Sequence, residues 1–431
     1  AGSHQACADC GRRRLVRGSR RISFSTLFGE IELRSPRLLH CDCISHRTKS
    51  FSPLSTLLTE RCHPELVHLE TKWACLMSYG LTAKLIKDVL PVNEKLNAVS
   101  IRKHVFAVAE RLEQALSEPL AESPLEPTPT TPSSPPTLSI PDGPMTVGID
   151  GGYVRAQRKQ GFFEVIAGKS LVAFKRDIPE EQDSSSSRCF AFVQTFDQNH
   201  KQRFLDHLSS HGLTAGQRLE FFSDGGESVR GLQKHLSPTA DHILDWFHVA
   251  MRLTVLGQYA KSLSDAPELP QIENPSVRRD DVLADLESVK HYLWHGNSFR
   301  ALEVTDGLLL DLDVPEPPDD TKKLLKGLLE FRTYIQRNRG LIVNYGERYR
   351  RGDRISTAFV ESAINQVVAK RFSKKQSMQW STKGAHQLLQ VRTRVLNGDL
   401  EAAFRGWYPA CTNASMPPPE TDVRQEIHPQ N

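Results

Sequence analysis

Three acids, Asp150, Asp224 and Glu361, have the residue types and settings for phosphate chemistry. Asp150 lies in Val147-Gly148-Ile149-Asp150-Gly151-Gly152, which reads as a strand. Asp224 ends a second strand, Phe221-Phe222-Ser223-Asp224-Gly225-Gly226, and Glu361 lies in an apolar-periodic helix, Ser356 to Phe372. The paired glycines after each aspartate leave room for an ion, water and phosphate. Carboxylate and water ligands suit Mg2+ or Mn2+ rather than zinc. Two such ions about 4 Å apart can serve an in-line displacement at a phosphodiester. Glu361 follows Val360 and precedes Ile364, at the edge of the helix's apolar stripe, with Asn365 one turn on. Taken singly, each aspartate also reads as a turn former and Glu361 as a solvated helix residue.

A second constellation is His242-Ile243-Leu244-Asp245-Trp246-Phe247-His248. Asp245 and His248 bracket two aromatics at a strand-to-helix junction, where they could hold a phosphate, a metal ligand or the nucleophile. Equally, Asp245 could cap the following helix. A third group is Cys7-x-x-Cys10 with Cys41-x-Cys43. Tight pairs bridge poorly to themselves, but two of them can present four thiolates to a structural Zn2+. Between them Arg21-Ile22-Ser23-Phe24 and Ile31-Glu32-Leu33-Arg34 read as hairpin strands, separated by Gly29. His40 and His46 flank the second pair and could replace a ligand. Cys62, Cys75, Cys189 and Cys411 read as isolated thiols, structural or incidental.

The elements that must position these groups fall into a series. The ribbon occupies 1–60. In 61–116, Leu66, Leu69, Trp73, Leu76 and Met77 recur at helical spacing and Gly80 breaks the run. Leu81 to Leu90 is a short helix stopped by Pro91, and Ser100 starts a longer one whose inner face is Val105, Val108, Ala109 and Leu112. With Arg102, Lys103 and His104 near the start of that last helix, the arrangement is that of a helix-turn-helix domain meeting base edges; a plain three-helix bundle is the alternative. The Pro-, Ser- and Thr-rich stretch 117–143 reads as an extended linker. From 144 to 263 the pattern is α/β: strands Met145–Ala156, Gly161–Ala173 and Cys189–Phe196, helix Asn199–Ser210, strand Arg218–Ser223, helix Glu227–Leu236, strand His242–Phe247, then a helix from His248. That order is the order of a ribonuclease H-like domain. Glu180 to Ser187 reads as a loop. A helical insertion occupies 264–349, with a break at Pro315 to Asp320. The catalytic domain resumes over 350–396, and 397–431 reads as a flexible tail.

The chain has 431 residues, 39% hydrophobic and 25% charged, which fits an ordinary globular protein of several domains. No apolar run is long enough to span a bilayer, and a cytoplasmic location is expected. The N-terminus shows no signal-peptide pattern and no initiator Met, so a trimmed start is expected. Net charge is only +4, but it is unevenly placed. Arg12 to Lys49 holds ten Lys or Arg against Glu30, Glu32 and Asp42, and Arg348 to Arg394 holds eleven against Asp353 and Glu361. Two basic segments point to a polyanion partner.

The set Gly148-Ile149-Asp150-Gly151-Gly152, Ser223-Asp224-Gly225, Asp245-Trp246-Phe247-His248 and Ser356-x4-Glu361-Ser362-x2-Asn365 resembles a DDE transposase of a bacterial insertion sequence. It is most similar to the group named for the Kra-four element, which is related to ISL-three and Mutator-like transposases. Met378-Gln379-Trp380-Ser381-x2-Gly384-Ala385-x2-Leu388-Leu389-x-Val391-Arg392 resembles the end of that catalytic domain. The resemblance runs from about Met145 to Arg394, and more weakly over the segments in front. It implies Asp150, Asp224 and Glu361 as catalytic acids on Mg2+, in an α/β ribonuclease H-like catalytic domain with a helical insertion, preceded by a zinc ribbon and a helix-turn-helix domain. It also implies binding to terminal inverted repeats and target DNA, as a homodimer or higher on paired ends. Basic side chains, Arg348, Arg350, Arg351 and Arg354 with Lys370, Arg371, Lys374 and Lys375, are expected to grip phosphates. Trp380 either stacks on an unpaired base or is core. Two rivals are a ribonuclease H-fold nuclease that only hydrolyses and a catalytically silent, transposase-derived DNA-binding protein.

Overall fold

A computed structural model describes residues 6–7, 9–43, 50–58, 60–116, 143–157, 161–172, 187–214, 216–263, 279–313, 315, 317–357, 360, 362, 364–373 and 378–409. The expected linker, apart from Gly143, the Glu180–Ser186 loop, His46, Glu361, Lys374, Lys375 and Cys411 lie outside them. The chain divides into two compact units, 1–112 with 394–431, and 113–393. Among the described residues no helix is long and apolar enough to cross a membrane.

In the first unit, strands β1 (Val16–Thr26) and β2 (Gly29–Leu39) form an antiparallel hairpin, and β3 (Ser50–Phe51) adds to β2. The turn closes at Thr26 and Gly29: Thr26 Oγ1 donates to the Gly29 carbonyl at 2.9 Å and accepts the Phe28 N–H at 3.1 Å. Within the hairpin Ile22 and Leu38 are buried, while Val16, Phe28 and Ile31 are exposed. So thin an apolar face does not hold a hairpin by itself.

Three helices follow the short α1 (Pro53–Leu57): α2 (Pro64–Leu76), α3 (Tyr79–Val89) and α4 (Ala98–Gln114). Gly80 does not break the first run; it lies in the first turn of α3. The break is at Met77-Ser78, because Ser78 Oγ accepts the Leu81 N–H at 3.3 Å and caps α3. The last helix starts two residues before Ser100, since Asn97 Oδ1 accepts the Val99 and Ser100 N–H groups at 2.9 and 3.1 Å. Its buried face is Ile101, Val105, Val108 and Ala109. The expected flexible tail is corrected over its first part. Leu400–Trp407 is a helix in this unit, with Leu400 and Phe404 buried and the Phe404 ring 5.1 Å from His68 of α2.

The second unit is built on a five-stranded mixed sheet: β4 (Met145–Arg155), β5 (Phe162–Leu171), β6 (Ser187–Val193), β7 (Leu219–Ser223) and β8 (Asp241–Leu244), in the order β6-β5-β4-β7-β8. The first three strands pair antiparallel, while β7 and β8 run parallel to β4. Helices α5 (His200–Ser210) and α6 (Glu227–Leu236) cover one face, where Phe204, Leu208, Val229 and Leu232 meet Val147, Ile149, Phe192 and Phe221. Each such side chain contributes roughly 1.5–3 kcal/mol on burial. On the other face Phe222 and Ile243 pack with Tyr345, and Leu171 with Val360 and Ile364. The strand expected over His242–Phe247 is β8 and ends earlier, at Leu244. Trp246 and Phe247 already belong to α7 (Trp246–Lys261), because Asp245 caps it. The expected helical insertion is α8 (Arg279–Trp294), α9 (Ser298–Leu312) and α10 (Asp319–Asn338), which share a core with α7 through Val289, Leu293, Leu308, Leu324, Leu328, Phe331 and Ile335. Beyond α11 (Tyr345–Arg351), part of the expected Ser356–Phe372 helix is a π-helix, Asn365–Ser373.

Candidate functional site

The parallel register brings Asp150, Asp224 and Asp245 to one end of neighbouring strands. Gly148 lies opposite Phe222, and Ser223 opposite Leu244, so Asp150 and Asp224 each lie two residues past the first pair, and Asp224 and Asp245 each one residue past the second. Adjacent strands are about 4.8 Å apart. Because side chains alternate, Asp150 and Asp224 share the face of Phe222 rather than the face buried by α5 and α6. Gly152, two residues past Asp150, packs on that face: a Cβ there would lie 3.5–3.7 Å from the Val368 and Ile364 side chains.

Each acid has a distinct local anchor. Asp150 Oδ1 accepts the Gly151 N–H at 2.7 Å. Asp224 Oδ1 accepts the Gly226 N–H at 2.9 Å across Gly225, whose φ of +88° favours glycine. Below it, buried Ser223 accepts the Gly225 N–H at 3.0 Å through Oγ, which also pairs with His242 Nε2 at 2.8 Å. Burial holds the His242 imidazole down at about 4, helped by Arg230. Asp245 is fully buried and thoroughly bonded. It accepts the Phe247 N–H at 2.8 Å, the Thr357 N–H at 3.1 Å and the Thr357 hydroxyl, which ties the start of α7 to the 353–357 segment. Capping, one of its two sequence readings, is therefore what its hydrogen bonds do. His248 Nε2 lies 3.7 Å from Asp245 Oδ2.

The electrostatics of the site are those of crowded acids. Burial raises the Asp150 carboxyl above the usual range; Asp224 and Asp245 push the same way, against His248 and the Gly151 N–H. A further acid, Glu164, lies within electrostatic reach of Asp224 and was missed; alternation from Ile166 puts it, with Gly151, on the α5–α6 side of the sheet. Burial raises its carboxyl first and the Asp224 charge second. Its Oε1 would lie 2.7 Å from a Cβ at Gly151, so that glycine leaves its space. The available signal was one charge inside the apolar run Phe162-Phe163-Glu164-Val165-Ile166.

The cysteines converge more tightly. Cys7 and Cys43 sulfurs are 3.5 Å apart, Cys10 and Cys41 sulfurs 3.3 Å, and all four lie within 4.8 Å of one another. Tetrahedral zinc with 2.3 Å bonds needs sulfurs about 3.8 Å apart, so the cluster can bind zinc. The Cys7 turn is shaped by the Cys7 N–H donating to the Arg12 carbonyl at 2.8 Å and the Gly11 N–H to the Cys7 carbonyl at 3.0 Å. Backbone N–H groups of Cys10 and Asp9 lower the Cys7 thiol to about 7. His40 is not in the group; its ring packs 4.7 Å from Phe51. Among the described residues, ligand groups of three or more this tight occur only here and at Cys62, Glu70 and His104; the strand-end acids do not form one.

The basic residues separate into two sets. Arg102, Lys103, Arg350, Arg351 and Lys370 are exposed, and Arg354 is half-buried. Arg348 is buried and pairs with Glu220 at 3.1 Å. His104 turns inward to Glu70 rather than outward with Arg102 and Lys103. Arg371 is buried with its guanidinium 5.2 Å from the Trp380 ring centre. Trp380 is core: its ring is 4.8 Å from Phe372, and its backbone N–H donates to the Arg155 carbonyl at 2.9 Å at the end of β4. Neither Arg371 nor Trp380 offers a surface for phosphate or an unpaired base. No protein-family model matches this chain, and no curated protein matches it either.

Proposed function

We propose that the chain is a DDE transposase, in which a ribonuclease H-like unit cleaves the ends of an insertion sequence and joins the freed 3′-hydroxyl to target DNA. The observation that carries the reading is the register of Asp150 and Asp224: two acids on adjacent parallel strands, at one level and on one face. The sheet order supports it, with three antiparallel strands followed by two parallel to the first. Glu361, assigned as third acid by the resemblance, lies outside the described residues; its neighbours Val360 and Ile364 pack on the sheet with Leu171.

Asp150 and Asp224 fit a hard divalent cation by donor type, and burial, with the Asp224 and Asp245 charges behind it, raises the Asp150 carboxyl, a cost that a bound cation would offset. When bound, Mg2+ supplies Lewis acidity to the phosphodiester and lowers the pKa of water. The chain's own residues do the positioning. Gly225 and Ser223 set the Asp224 turn, Asp245 locks α7 to the 353–357 segment, and His248 stands 3.7 Å from Asp245 and within electrostatic reach of Asp150. Exposed Arg350 and Lys370, and Arg351 on leaving its pairing with Asp353 and Glu347, would meet phosphates, and Arg102 and Lys103 would read the element's ends. Assembly as a dimer on paired ends and zinc in the ribbon belong to the same reading.

The test is strand joining. A labelled duplex with a pre-cleaved terminal repeat of the element is incubated with the chain, target DNA and Mg2+. Joined product is expected from the native chain. Asp150→Asn and Asp224→Asn should each lose about 10^3-fold or more, the scale of several kcal/mol of transition-state stabilisation. Hydrolysis without joining would favour the nuclease. Binding without either reaction would favour the silent DNA-binding protein. Joining that survives both substitutions would sink the site assignment.

A further inference from the structure

Cys62, Glu70 and His104 put a thiol, a carboxylate and an imidazole in one place inside the first unit, with one ligand atom of each within 4.8 Å of the others. They come from three elements. Cys62 bridges to Ser25 of β1, and its neighbours are pinned there: the Ser25 N–H donates to the Arg61 carbonyl at 2.9 Å and the His63 N–H to the Ser25 carbonyl at 2.8 Å. Glu70 comes from α2 and His104 from α4. Glu70 is fully buried; Oε2 meets His104 Nδ1, while Oε1 has no hydrogen-bond partner. A buried carboxylate oxygen with no donor is an expensive arrangement unless something else occupies it. Beside the group is a pocket of about 200 Å³, lined among others by Cys62, His104, Arg111 and Trp407.

We infer that Cys62, Glu70 and His104 form a second transition-metal site, suited to Zn2+, with a fourth position open to a water or small ligand from the pocket. The donor set decides the class. A thiolate and an imidazole exclude the oxygen-seeking Mg2+ and Ca2+, and one carboxylate completes a borderline set of three. Binding takes up the idle Glu70 oxygen and releases the Cys62 thiol proton to solvent. The ion would cross-link the hairpin, α2 and α4, and so fix how α4 presents Arg102 and Lys103. It also gives His104 a reason to face inward. The inference does not rest on the transposition reading and would stand for any activity of the chain.

Metal content of the full chain tests it. Each protein is loaded with zinc chloride, freed of excess by gel filtration and assayed for zinc per chain by mass spectrometry. Cys62→Ser and Glu70→Gln should each hold one equivalent fewer than the native chain. Glu70→Gln keeps the side chain's shape, so unchanged far-UV circular dichroism is expected and that variant decides if Cys62→Ser fails to fold. Loaded with Co2+, the native chain should show thiolate charge-transfer absorbance that Cys62→Ser lowers by about one fifth, one Co–S bond of five. Native zinc content in folded Glu70→Gln, or unchanged Co2+ thiolate absorbance in Cys62→Ser, overturns the inference.

Discussion

The four-cysteine cluster and the strand-end acids solve the same problem, gathering ligands, in opposite ways. At the cluster, close sequence spacing delivers the thiols in pairs, and the hairpin brings the pairs together until sulfurs stand 3.3 and 3.5 Å apart. Protonated thiols are neutral, so they can crowd before any ion arrives. At the sheet, the acids come from strands distant in sequence and brought level by register. Carboxylates ionise at neutral pH and repel. They form no tight group of three among the described residues, and the Asp150 carboxyl is raised by burial first, with the Asp224 and Asp245 charges adding to it. A cation at the cysteines would act as a staple for a hairpin with little core. At the acids it would act as a counter-charge in a unit already held by its own core.

Metal removal should separate the two most sharply. Structural zinc contributes on the order of 10 kcal/mol of apparent binding energy, all of it coupled to folding. With Ile22 and Leu38 the only fully buried apolar side chains in β1 and β2, the hairpin has little to replace that. A strong chelator should therefore raise amide exchange across β1 and β2 by orders of magnitude and leave β4 and β7 protected. Equal loosening of both sheets, read by hydrogen-exchange mass spectrometry, would break the comparison.

That difference also governs what could be read from the sequence. The cysteine pairs and hairpin were legible because their information is local: spacing, a turn and alternating strands. Strand and helix order in the second unit was legible for the same reason, and α6 matches its expected bounds, Glu227–Leu236. Asp150 and Asp224 were singled out by the glycines that follow them. What escaped was set by tertiary packing. Nothing local says that Arg371 and Trp380 turn inward, that Leu400–Trp407 folds back onto α2, or that Glu70 lies under His104. Cys62, in the loop before α2, reads as a lone thiol because its two companions are on α2 and α4. Glu164 was visible as a charge in an apolar strand, but only pairing places it near Asp224.

The acid site is sharpened by Gly225→Ala. The residue sits at φ +88°, and a Cβ would lie 2.1 Å from Asn338 Oδ1, an oxygen that also accepts from Arg230. Backbone strain with a forced side-chain shift should cost roughly 3 kcal/mol. Because the turn holds Asp224, Mg2+-dependent joining should fall further than stability alone accounts for. Urea denaturation beside the joining assay separates the two. A variant as stable and active as the native chain would show that the Asp224 turn does not need its glycine.

The smallest effect probes whether the sheet side tunes its charge without metal. Unfolded, His242 takes a proton near its ordinary 6.5; folded, burial and Arg230 keep it neutral down to about 4. Between those values the unfolded state binds more protons, so stability present at pH 7 is lost as pH falls. By pH 5.5 the loss from this one group is about 1 kcal/mol. Native and His242→Gln chains should therefore converge in stability on acidification, the glutamine still able to bond Ser223. Exchange rates at β7 and β8 from pH 7 to 5.5, in chelator-free buffer without Mg2+, measure it. Parallel pH profiles would mean that His242 ionises freely, and that neutrality beneath Asp224 is not built into the strand end.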